Sequence, residues 1–202
     1  MTHQGVWLKV FSSLALLLMI VAVELYPGGS PHNIHAQGFS MLHNYWCNLL
    51  DPYALNGRLN AARPYAIGAG LVGSAALFGS MYVILQKYAL KPLHLNMASA
   101  GLGSSLVGAV FLFTPWHNYF VTLLIIGLIA YGSILARPVW NFAPLLTRVV
   151  LLFTAAMLVT TACLYYLGFA LLFLPVMQKL SFVSLVISLY LIHRNTASFQ
   201  NG

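Results

Sequence analysis

Apolar residues fall along this chain in long blocks, separated by stretches that hold most of its prolines and charges. Roughly 20 consecutive apolar residues make a helix long enough to cross a bilayer core. By that measure the pattern predicts six such helices. The first runs from Val6 to Tyr26 and is stopped by Pro27, Gly28 and Gly29. The next three cover Tyr65–Tyr88, Leu93–Phe113 and Tyr119–Ala136, the last ending at Arg137-Pro138. A fifth begins after Pro144 and reaches Leu167, and a sixth lies within Gly168–Ile192, interrupted near Pro175–Lys179. Pro64 and Pro92 sit at helix starts, where a missing amide hydrogen costs nothing. The first block is expected to be a retained helix rather than a signal peptide, because no small-x-small cleavage site precedes Glu24 and five further spans follow.

Small residues at spacings of four mark the second and third helices: Ala66, Gly70 and Ser74, then Ala75 with Gly79, Ser99 with Gly103, Gly101 with Ser105, and Ser104 with Gly108. In lipid such lines let backbones approach closely. These two helices are therefore expected to form a tight hairpin.

The connection from residue 27 to 64 is long for a bundle, and long connections of unusual composition tend to carry function. If Gly38–Asp51 is helical, Ser40, His43, Asn44, Cys47, Asn48 and Asp51 share one face, with Phe39, Leu42, Trp46, Leu49 and Leu50 on the other. The stretch reads as a short amphipathic helix. Either it lies in the interface as an anchor, or its polar stripe faces the bundle and builds a site.

Composition narrows the class. Of 202 residues, 60% are hydrophobic and 5% charged, too little charge to clothe a soluble domain and too much apolarity for a disordered chain. The net charge of +7 comes from Lys and Arg placed singly at the ends of apolar runs, without the clusters a nucleic-acid partner requires. With the N-terminus inside, Lys9, Lys87, Lys91, Arg137, Arg148 and Arg194 are cytoplasmic, while Arg58, Arg63 and Lys179 are outside. The fold expected is an all-α polytopic membrane helix bundle of one domain spanning residues 1–202. Both termini are expected to be cytoplasmic and the long loop 27–64 extracytoplasmic.

On that topology the two acids, Glu24 and Asp51, and four of the seven histidines fall at the outer end, with His117-Asn118 in the turn between the third and fourth helices. Ionisable groups near a membrane core point to function. The candidate site residues are His43, Asn44, Asn48, Asp51 and His117. The histidines would be ligands or bases, Asp51 an orienting acid or third ligand, and the asparagines hydrogen bonders to substrate. His and Asp could hold a divalent metal and an activated water, although the spacing matches no metal motif. Ser40 and Cys47 lie on the same stripe as His43, yet no Gly-x-Ser-x-Gly elbow is present. Cys47 and Cys163 form no CxxC pair.

The run Tyr26-Pro27-Gly28-Gly29, then Phe39 to Leu49 with His43, Asn44, Trp46 and Asn48, then Asn60, and the pair Gln178-Lys179 resemble a six-helix family of prokaryotic integral membrane proteins with no assigned activity, distantly similar to the eukaryotic Frag1 group. The family pattern has an acid where this chain has Asn48 and a glycine where it has Leu50. The resemblance implies a helix count and no chemistry. The expected function is a polar extracytoplasmic site that binds or processes a lipid or lipid headgroup, with the bilayer and a lipid substrate as partners. The alternatives are an accessory subunit held by a membrane-protein partner and, third, a small-solute transporter.

Overall fold

A computed structural model describes residues 3–88 and 90–199. Among them are six α-helices: α1 (His3–Leu25), α2 (Arg63–Lys87), α3 (Pro92–Val110), α4 (His117–Phe142), α5 (Leu145–Leu167) and α6 (Leu174–Phe199). Among the described residues there is no β-strand, only two isolated bridges, Gly28 with Gln37 and Tyr53 with Leu59. Five helices are long and apolar enough to cross a membrane: α1, α2, α4, α5 and α6. α3 is the one left out, since His94, Asn96 and a series of glycines and serines dilute its 19 residues. Of the polar tail, Asn195–Phe199 continues α6, and residues 200–202 lie outside the described range.

Two boundaries differ from the hydropathy pattern. α4 passes through Pro138 to Phe142 because its buried face continues from Leu135 to Val139, and that burial outweighs one lost amide bond. α6 is not interrupted at Pro175. The proline stands second in the helix, inside the first turn, where it is tolerated.

The chain groups into two compact units. One gathers residues up to Ser13, Gly70–Val149 and those from Ser188 onward; the other gathers Leu14–Ala69 and Val150–Ile187. In the first unit the tight pair is α3 with α4, not α2 with α3. A Cβ on Gly108 would stand 2.7 Å from the Phe120 carbonyl oxygen and 2.8 Å from Leu124 Cβ. One on Gly127 would run into Ser105 Oγ and the Gly101 carbonyl. Ser105 Oγ also donates to the Leu124 carbonyl at 3.0 Å, a hydrogen bond across the pair. The small residues of α2 serve a different neighbour: Gly68 lies against Leu18 in the second unit and Gly79 against Leu8 in the first, both on α1. Small-residue lines thus specify close approach, but not to which partner.

In the second unit the loop between α1 and α2 folds into a cap. Its core is Ala22, Tyr26, Leu49, Ala54, Ala62 and Ala66, with Met19, Val23, Phe39, Trp46 and Leu50 packed around it.

Candidate functional site

The cap is built by polar side chains that bond backbone, which explains why Gly38–Asp51 is not the amphipathic helix its spacing suggested. Side chains of Ser and Asn offer the backbone an alternative to helical bonds. Ser40 Oγ accepts the His43 amide at 3.2 Å, and Asn44 Oδ1 accepts the Ser40 amide at 2.8 Å. Asn48 Oδ1 accepts the Tyr45 amide at 2.9 Å and starts a 3-10 helix of four residues, Trp46–Leu49. The result is a turn and one short helix instead of about four α-turns.

Further along, Asn60 closes the cap. Its Nδ2 reaches the carbonyls of Asn48 (3.1 Å), Leu49 (3.2 Å) and Asp51 (2.8 Å), and its Oδ1 accepts the Ala62 amide. Arg63 Nε donates to the Leu50 carbonyl at 2.9 Å. On the opposite edge, Gly29 has φ +83°, a left-handed conformation, and a Cβ there would collide with the Asn56 amide and lie 2.7 Å from the Leu55 carbonyl carbon. Only glycine fits. Burial pushes the Tyr26 phenol above its ordinary pKa, against the lowering effect of the Leu55 amide it accepts at 3.2 Å, so it stays neutral within the cap core.

The sequence-predicted residues separate into three groups. Asn44, wholly buried, and Asn48 lie inside the cap. Asn44 Nδ2 donates to the Gly29 carbonyl at 2.8 Å and to Asn48 Oδ1 at 3.4 Å, so both amides are engaged in holding the loop and act as positioning groups. Asp51 is exposed, and its backbone carbonyl is one of the Asn60 acceptors. His117 belongs to the other unit, at the start of α4, where Nδ1 donates to the Leu112 carbonyl. Among the described residues no three of His, Cys, Asp and Glu converge as a metal would require. His43 opens onto a cleft.

That cleft has a volume of about 290 Å³ and is lined by Pro31, His32, His43, Tyr45, Leu171, Leu172 and Pro175. The His32 and His43 rings stack with centroids 4.8 Å apart and planes 14° from parallel. His43 Nδ1 stands 3.1 Å from Ser40 Oγ. This is a Ser–His contact, but the same hydroxyl oxygen already accepts the His43 amide, so Ser40 is held within its own turn. The opposite wall is the α5–α6 turn, where Leu171 and Leu172 are 46% and 59% exposed. Tyr45 Oη donates to the Leu171 carbonyl at 3.5 Å and joins the two walls, and burial raises its pKa.

Behind the cleft are two residues whose role the pattern did not foretell. Lys179 is buried, its Nζ donating to the carbonyls of Asn44 and, at 3.0 Å, Pro175. The ammonium also lies over the Trp46 ring at 5.3 Å and the Phe39 ring at 5.6 Å. Cation–π contacts of this kind strengthen when desolvated. Gln178 Oε1 accepts the Trp46 amide at 3.1 Å while its Nε2 faces Cys47 Sγ at 3.8 Å. In the sequence the pair Gln178-Lys179 stands out as part of the family resemblance, and Lys179 as an outer-end cation, without a role for either.

No family model, curated protein or solved structure matches the chain.

Proposed function

We propose that this is an integral membrane protein whose cap forms a binding site for a membrane lipid. Its six helices would place the cap at the extracytoplasmic face and both termini in the cytoplasm, as the distribution of Lys and Arg favours. The plasma membrane of a prokaryote is the setting we assign. The observation that carries the reading is the cleft. One wall offers two imidazoles and a phenol, the other two exposed leucines, the combination of polar and apolar surface an amphiphile needs. Its volume of about 290 Å³ falls just below the roughly 300–1,000 Å³ typical of small-molecule sites, so it would take a headgroup and not a whole lipid.

Binding is preferred to hydrolysis because Ser40 is committed to its turn and the asparagines to the loop backbone. The test is binding of a fluorescent phospholipid to the purified protein in detergent. A Leu171→Ser, Leu172→Ser double variant should lose most of the binding while keeping its thermal unfolding temperature. Equal binding by the two proteins would exclude the cleft as the lipid site.

A further inference from the structure

Resting on that lipid-binding reading, we infer that the cleft selects a headgroup of net negative charge, of the phosphodiester class. Neither of the chain's two acids, Glu24 and Asp51, is among its lining residues. What lines or backs it is basic or neutral: His32, His43, Tyr45 and, behind the wall, the Lys179 ammonium. Lys179 is bonded to the carbonyl of Pro175, itself a lining residue, and to that of Asn44, which precedes Tyr45 in the chain. A cation screened from water by Trp46 and Phe39 acts across a low-dielectric wall, where its attraction for an anion is larger than in solvent. His43 Nδ1 faces Ser40, which leaves Nε2 to serve a phosphate oxygen, and the stacked His32 adds a second imidazole on the same lining. An imidazole N–H that donates to a charged phosphate oxygen makes a charge-assisted bond, stronger than a neutral one.

The same inventory disfavours a zwitterionic choline lipid. Quaternary ammonium groups are recognised by cages of aromatic faces. Tyr45 is the one phenol or indole ring on the lining, and the Phe39 and Trp46 rings of the cap already face the Lys179 ammonium.

The experiment compares phosphatidylglycerol and phosphatidylcholine carrying the same fluorescent chain, bound to the full chain in detergent. Phosphatidylglycerol should bind about tenfold more tightly. A His32→Gln, His43→Gln double variant should weaken both lipids through the phosphate they share, phosphatidylglycerol the more, and so bring the two affinities together. Leu172→Glu, at an exposed lining position, should do the same by placing a carboxylate in the cleft while both imidazoles remain. Equal affinity for the two lipids, lost equally in the double serine variant, would overturn the charge selection and leave the lipid site standing. If neither lipid responded to the serine variant, the lipid site itself would fall. Displacement of phosphatidylglycerol by inorganic phosphate at matched concentration would overturn the lipid as the source of the headgroup.

Discussion

The cap and the α3–α4 pair are both tightly packed, and they reach that state by opposite means. In α3–α4 the backbones are already satisfied within each helix, so closeness needs only the removal of side chains, at Gly101, Gly108 and Gly127. In the cap the backbone is irregular, and its polar groups must be satisfied one at a time by Ser40, Asn44, Asn48, Asn56 and Asn60. Buried irregular backbone is tolerated only where protein supplies such partners. A deletion should therefore be cheap in the helix pair and costly in the cap, while an added methyl should be costly in both.

The largest effect is expected at the cap edge. Gly29→Val adds left-handed strain to a collision with the Asn56 amide and the Leu55 carbonyl carbon. It should cost about 4 kcal/mol, the level reserved for core and backbone failures. Hydrogen exchange should show residues 26–62 losing protection while α3 and α4 keep theirs. Gly127→Ala should come next, at about 2–3 kcal/mol for overpacking two backbones, read as a lower unfolding temperature with cap exchange unchanged. Asn60→Ala strands buried carbonyls and the Ala62 amide, and should cost about 2 kcal/mol. Its partner in the comparison is Ser105→Ala, which deletes one bond between helices and should cost only about 0.6 kcal/mol. If the serine cost as much as the asparagine in the same denaturation assay, the distinction between the two regions would be lost. Smallest of all, His32→Gln should leave stability within about 0.5 kcal/mol, because the side chain is exposed.

The same distinction explains what the sequence could tell a reader. The helices were legible because their cause is local: a block of apolar residues with proline at its edge reads the same in one dimension as in three. Even there the pairing of α3 with α4 was missed, since Gly127 stands alone in a run of Leu and Ile and carries no spacing signal. The cap was misread for a related reason. Helical periodicity placed Ser40, His43, Asn44 and Asn48 on one face, but Ser and Asn side chains compete for the backbone hydrogen bonds that a helix needs. Of the candidate residues, His43 reached a cleft by proximity to Pro31 and His32 rather than by that periodicity. Lys179 and Gln178 were beyond inference from spacing, because their partners lie in another part of the chain.

That separation sets an order of events during synthesis. Trp46 and Gln178 are 132 residues apart, an interval that takes on the order of ten seconds at roughly 5–20 residues per second. Throughout it, the newly made loop has its asparagine bonds but neither the ammonium that Trp46 and Phe39 enclose nor the glutamine that receives the Trp46 amide. Two aromatic faces, one indole and one phenyl, stand without the Lys179 ammonium for that time. α6 is thus also the latch of the α1–α2 loop, and the cleft comes into being only when it closes.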